Sequence, residues 1–171
     1  MIQAIIRKGK VIGEEVSSPN VNPGAVLIKV VNSCISAGTE SHSVKGSKLG
    51  GLIKKSLKQP ERVMQVLNSV SSLGIQKTIA KVKGIVNGGA ATGYSVSGVV
   101  VGVGEGVNIF KVGDRVTASG AGIANHAEFV DVPKNLVTKI PDNLDFEKAS
   151  TVTLGAIAMQ GVRRADLSLG E

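Results

Sequence analysis

A chain of 171 residues with 42% apolar side chains and a net charge of +7 has room for one domain, or one and a fraction, around a real core. No apolar run approaches the roughly 20 residues of a membrane span, and the N-terminal MIQAIIRKGK places its charge at residues 7 to 10, out of the order of a signal peptide. The single Cys34 excludes an internal disulfide and a multi-cysteine zinc lobe, so a soluble cytoplasmic protein is expected.

QAIIRKGKVIGEEV predicts two short strands around Gly9, and Pro23-Gly24 a turn before the strand AVLIKVV. The polar segment NSCISAGTESHSV reads as a loop leaving that strand, the kind of segment that carries function. From about Leu49 the period changes. Leu52, Ile53, Leu57, Val63, Val66, Leu67 and Val70 recur at three- and four-residue steps, which predicts helices. Pro60 stands at a first helical position, Gly74 ends that helix, and Gln76 to Val86 forms another. The pair reads as an insertion over about residues 48–87. Residues 45 to 83 also hold nine Lys or Arg against one Glu, so this segment supplies the whole charge excess. Such a surface can attract phosphate, nucleic acid or anionic lipid, a solvated helical face being the simpler reading, and the absence of an aromatic to stack bases argues against nucleic acid.

Gly88-Gly89 returns the chain to β structure. An apolar run through Val96, Val99, Val101 and Val103 is followed by glycines at 102, 104 and 106, then by the turn Lys111-Val112-Gly113-Asp114-Arg115 into Val116. This is strand, glycine-rich turn, strand: the syntax of a small β-barrel. GVGEG is not a dinucleotide fingerprint, because its third glycine would have to be residue 107, which is Val107, and no helix pattern follows. His126 to Val130 reads as a further strand closing at Val132-Pro133. Pro141-Asp142 then turns into LDFEKAS, where Asp145 or Asn143 caps a short helix. A last helix, from about Thr151 to Ala165, presents Val152, Leu154, Ile157, Ala158 and Val162. The fold class is therefore mainly β with helices: a partly open barrel, an inserted helical pair and a C-terminal helix.

GYSVSGVVVGVGEGVNIFKVGDRV resembles the GroES-like domain of the medium-chain dehydrogenases and reductases, in which G-H-E-x-x-G precedes V-x-x-V-G-x-x-V and K-x-G-D-R-V. PGAVLIKVVNSCISAGTES, HAEFVDVPKNLVTKIPDNLDFEKAS and TLGAIAMQGVRRADLSLGE are similar to further stretches of that family in the same order. The combination is nearest to a bacterial branch of threonine- and sorbitol-dehydrogenase-like oxidoreductases. The resemblance implies a substrate domain over residues 1–150, and over 151–171 a helix leading toward a Rossmann domain outside this sequence. That domain would bind most of the NAD(P), so the chain by itself is expected to be inactive. It also implies a small-molecule substrate, such as a sugar or sugar derivative. The last helix would have evolved to pack on that Rossmann domain, so residues 151–171 are expected here to be disordered, folded back, or docked on a second copy in a homo-oligomer.

The departures concern the metal. The His of the family motif is Tyr94 and the Glu is Ser95. The pocket-loop Cys falls on Ile35, with Cys34 one place early and thus on the opposite strand face. A catalytic zinc needs about three protein ligands plus water, so the expectation is a zinc-independent pocket with no metal site. A proton donor must then stabilise charge on the substrate oxygen. Tyr94 is the first candidate, against the simpler role of a half-buried barrel tyrosine. Ser36, Thr39 and Glu40 follow, each of which also suits turn capping. His126 and Glu128, two apart on a strand face, read as a proton relay or as an interface ion pair. Thr153 and Gly155 fall where the family approaches the nicotinamide, although helix start and close packing explain Gly155 equally. Cys34 suits a small buried filler and His42 a surface position. A non-enzymatic module that uses the basic insertion to hold nucleic acid or another anionic partner is the alternative reading.

Overall fold

The β-branched runs do become strands, but the buried face is not the one their spacing suggests. The computed structural model describes residues 1–46 and 89–166. The helical insertion expected over residues 48–87, with most of the basic cluster, lies outside the described residues, as does the closing LSLGE. Among the described residues are eight strands: β1 (Ile2–Arg7), β2 (Lys10–Glu15), β3 (Ala25–Ser33), β4 (Ala90–Ala91), β5 (Ser95–Val103), β6 (Arg115–Ser119), β7 (Phe129–Pro133) and β8 (Val137–Lys139). Three helices accompany them: α1 (Ala37–Gly46), α2 (Phe146–Ala149) and α3 (Val152–Arg164). The chain forms two compact units, one from Met1–Gln3, Glu15–Ile35 and Thr92–Glu171, the other from Ala4–Glu14 and Ser36–Ala91.

The smaller unit holds most of a three-stranded sheet ordered β2-β1-β4, with Ile5 opposite Ala91 and Ile6 opposite Ala90. Lys8 and Gly9 both take positive φ (51° and 77°) in the hairpin turn, the conformation whose twist suits a two-residue connection. Arg7 Nη2 bonds Glu14 Oε2 at 2.6 Å across the hairpin. The segment expected as a loop after Cys34 is instead the helix α1. Ser36 starts it: the Ser36 amide donates to Glu40 Oε1 at 3.1 Å, and the Glu40 amide donates to the Ser36 carbonyl at 2.9 Å. A side chain four residues on thus satisfies an orphan amide at the helix start. That signal lies in SAGTE, beneath its polar look.

In the larger unit five antiparallel strands run in the order β7-β3-β5-β6-β8, curled into half a barrel. This is the mainly β architecture that the sequence leads one to expect. Its core includes Val26, Ile28, Val96, Val100, Val116, Val132 and Phe110. Val99 does not share the face of Val96, because side chains on a strand alternate, whereas Val103, beyond the irregularity and opposite Val26, packs on the core again. Two register irregularities in the β3–β5 ladder pass over Val101 and Val31, which are left exposed.

Ser95 and Ser97 are also fully buried, because the other face of β5 is covered by α2. The Ser95 hydroxyl donates to the Ser150 carbonyl at 2.5 Å, and the Ser97 hydroxyl to the Phe146 carbonyl at 2.5 Å. The Thr117 hydroxyl on β6 lies 2.8 Å from the Ala149 carbonyl and 3.0 Å from that of Val96. Asp145, one of the two expected caps, accepts the Lys148 amide at 2.7 Å and starts α2. The Arg115 guanidinium stacks over the Phe146 ring, 4.7 Å from its centroid, a cation–π contact. α3 then leaves the sheet. Every residue of it except Thr153 is exposed, with Ile157, Met159 and Val162 more than half so. The expected folding back is therefore not what is seen.

Two outcomes test this packing. Thr117→Val keeps the shape but strands the Ala149 carbonyl, so urea unfolding should show a loss of about 1–2 kcal/mol. Asp114 accepts Lys139 Nζ at 2.9 Å and the Lys111 amide at 3.0 Å, and these bonds hold its carboxyl below the usual carboxylate range, the Lys139 bond most strongly. A lowered pKa stabilises the fold above the unfolded value of about 4, and that contribution fades as pH falls. Asp114→Asn should therefore lower Tm by about 3 °C at pH 7, with the gap to the parent narrowing as pH falls below the usual carboxylate range.

Candidate active site

The turn entering β5 sets the geometry. Gly93 has φ of 99°, and a Cβ on it would stand 2.6 Å from the His126 amide nitrogen and 2.9 Å from the ring atoms Cγ and Cδ2. Only glycine allows both the conformation and the approach. The His126 imidazole thus lies against bare backbone. Its amide donates to the Thr92 carbonyl at 2.8 Å, and its Nδ1 lies 2.9 Å from the Ser33 hydroxyl at the end of β3. The Cys34 amide bonds the Ser95 carbonyl at 3.0 Å, so the ends of β3 and β5 and the bend carrying His126 converge.

Tyr94 follows Gly93 and is half-buried. Its carbonyl accepts the Gly120 amide at 2.9 Å and lies 3.4 Å from the Thr153 hydroxyl in the first turn of α3. The candidate donor and the candidate cofactor-side residue are therefore adjacent in the chain's folded form. Gly155 behaves differently. A Cβ there would meet nothing within 4 Å, so close packing does not account for it.

Glu128 makes no hydrogen bond or ion pair with His126. Its carboxylate accepts the Ile2 amide at 2.7 Å, because this stretch is an irregular bend bridged to Gln3 rather than a regular strand. Ser36, Thr39 and Glu40 belong to the smaller unit, where they build the start of α1; the Ser36 hydroxyl donates to Thr39 Oγ1 at 3.2 Å. His42 is exposed on α1, as expected of a surface residue. Cys34 is half-buried rather than enclosed, and Ile35, at the family's ligand position, is 71% exposed. Among the described residues no three His, Cys, Asp or Glu side chains gather as metal ligands. A cavity of 530 Å³ lies elsewhere: its wall includes Gln3, Asn125 and Phe129 but not Ser33, Tyr94 or His126.

The residue that sequence reasoning passes over is Ser33. It stands 93 positions from its partner, and a serine at a strand end carries no local signal.

No protein-family model matches the chain. It is 28% identical over 181 residues to (R,R)-butanediol dehydrogenase of Bacillus subtilis (strain 168), a match over 92% of this chain and 45% of that protein. The quinone oxidoreductase of Coxiella burnetii superposes with a TM-score of 0.68 at 19% identity, over 99% of this chain and 46% of that one. A mycobacterial protein solved with NADPH superposes with a TM-score of 0.63 at 19% identity, over 99% of this chain and 42% of that one. The resemblance to the medium-chain dehydrogenases and reductases holds. The fold is GroES-like, and the chain spans about half the length of the relatives it matches. The butanediol dehydrogenase and the quinone oxidoreductases that it matches are oxidoreductases.

Gly93→Ala should cost about 1–3 kcal/mol, the range for a strained backbone position, and should move the His126 ring resonances. Gly155→Ala is the contrast: an unobstructed helix-interior glycine, whose replacement should add about 0.5–1 kcal/mol. Denaturant unfolding with ¹H–¹³C spectra of the His ring reads both.

Proposed function

We propose that this chain is the substrate-binding part of an NAD(P)-dependent, zinc-independent oxidoreductase acting on a small carbonyl or hydroxyl compound, sugar derivatives among them. The observation that carries this reading is the closeness of Thr153, at the start of α3, to the backbone of Tyr94. A residue on the cofactor side thereby lies against the backbone of the residue that carries the phenol, and Gly93, the residue before it, packs against His126.

The described residues offer no phosphate cradle. Gly106 turns at φ 77° into an irregular stretch and not into a helix. They fit only the nicotinamide end of the cofactor, and a nucleotide-binding portion outside them would hold the rest. When bound, the nicotinamide supplies or accepts the hydride. The work of this chain is on the oxygen. The Tyr94 phenol, which makes no hydrogen bond to any described residue, donates one to the substrate oxygen and gives up its proton as charge develops there. His126 supplies a second proton-exchanging group in the same region.

The test is oxidation of NADH or NADPH by the protein together with its nucleotide-binding portion, offered a quinone, the ketone counterpart of butanediol, or a sugar aldehyde. Turnover should survive metal chelation, and Tyr94→Phe should lower kcat about 100-fold or more. Loss of activity to a chelator, or full activity in Tyr94→Phe, overturns the reading.

A further inference from the structure

The 530 Å³ cavity is lined wholly by residues of the larger unit, and its wall includes neither Tyr94 nor His126. Its size lies within the roughly 300–1,000 Å³ of small-molecule sites. Most of the lining surface is apolar, with Phe129, Ile123 and three prolines, Pro19, Pro23 and Pro133, among the contributors. Proline has a fixed φ and no N–H, so that part of the wall is stiff and poor in donors. The turn at Pro23-Gly24 is tied down on both sides: the Gly24 amide bonds the Glu105 carbonyl at 2.7 Å, and its carbonyl receives the Lys134 amide at 3.0 Å.

The charges in the wall are one of each sign, and both are already bonded. The Asp131 carboxylate accepts Asn22 Nδ2 at 2.6 Å, and the Met1 ammonium donates to the Val16 carbonyl at 2.8 Å. Asn125 is different. It is only 7% exposed, and its Oδ1, shielded from solvent, has no hydrogen-bond partner among the described residues. Buried oxygens of this kind are normally paired. The backbone on either side is fixed, since the Ala124 amide bonds the Gly120 carbonyl at 2.9 Å and the His126 amide bonds that of Thr92. Asn125 therefore keeps its place in the wall with an acceptor unspent.

We propose that this cavity is a second binding site, separate from the candidate active site, for a small uncharged molecule: an apolar or aromatic body bearing one N–H or O–H that donates to Asn125 Oδ1. The orphan group is an acceptor, so the ligand must bring the donor. The wall has no net charge with which to recruit an ion. Phe129 and the prolines match a flat apolar body. A molecule of the same shape without the donor buries the same apolar area but leaves Oδ1 unpaired, and this difference sets the selectivity.

The experiment is a ¹H–¹⁵N titration of the full chain with two matched pairs, phenol against anisole and benzamide against N,N-dimethylbenzamide. Phenol and benzamide should give saturable shifts centred on Gly122, Ile123, Asn125, Phe129 and Asp131, with Kd of about 1 mM or tighter. Their donor-free partners should bind about tenfold more weakly. Asn125→Leu should weaken benzamide about tenfold and leave anisole unchanged. No saturable shift, equal affinity within each pair, or shifts centred on Tyr94 overturns the proposal. The matched pairs decide it in the parent chain, so the answer stands even where Asn125→Leu does not fold. Turnover plays no part in the readout, so it is independent of the oxidoreductase reading.

Discussion

Three buried hydroxyls, those of Ser95, Ser97 and Thr117, hold the turn of α2 against the five-stranded sheet, and the rest of the larger unit is arranged around that clamp. A helix of four residues cannot satisfy its own last carbonyls. Buried without partners they would cost more than the apolar contacts around them return. The sheet therefore presents hydroxyls where a barrel would usually present apolar side chains. Arg115 reinforces the same turn by stacking on Phe146 and donating to the carbonyls of Asp142 and Leu144.

The clamp also aims α3. Because Ser150 is tied to Ser95, the first turn of α3 begins beside β5, and Thr153 comes to rest at the Tyr94 carbonyl. The later turns of α3 receive no such hold and stand exposed. A small polar network at the base of the helix thus links core packing to the candidate chemistry. Disturbing it should be felt at Tyr94 before it is felt in the valine core.

The candidate site is built on one close approach. Gly93 is required because the backbone must take positive φ and admit His126. The next residue, Tyr94, brings a phenol to the same turn. The His126 Nδ1 meets the Ser33 hydroxyl, and Glu128, which looks like its partner in sequence, accepts the amide of Ile2. Residues two apart share a face only where the backbone is a regular strand, and here it bends.

What the sequence determined by itself was local. The Asp145 cap, the glycine turns after β5, the last helix and the order of family motifs all depend on residues within a few positions of one another, so they are legible from one dimension. The SAGTE helix start was equally local but hidden by its polar composition. Only the tertiary structure decided which valines are buried, since the two irregularities in the β3–β5 ladder shift that face. It alone paired Ser33 with His126, 93 positions apart, and Ser95 with Ser150, 55 apart. A hydroxyl finds its partner through the register of strands and the path of the chain between them, and neither residue carries a mark of the other.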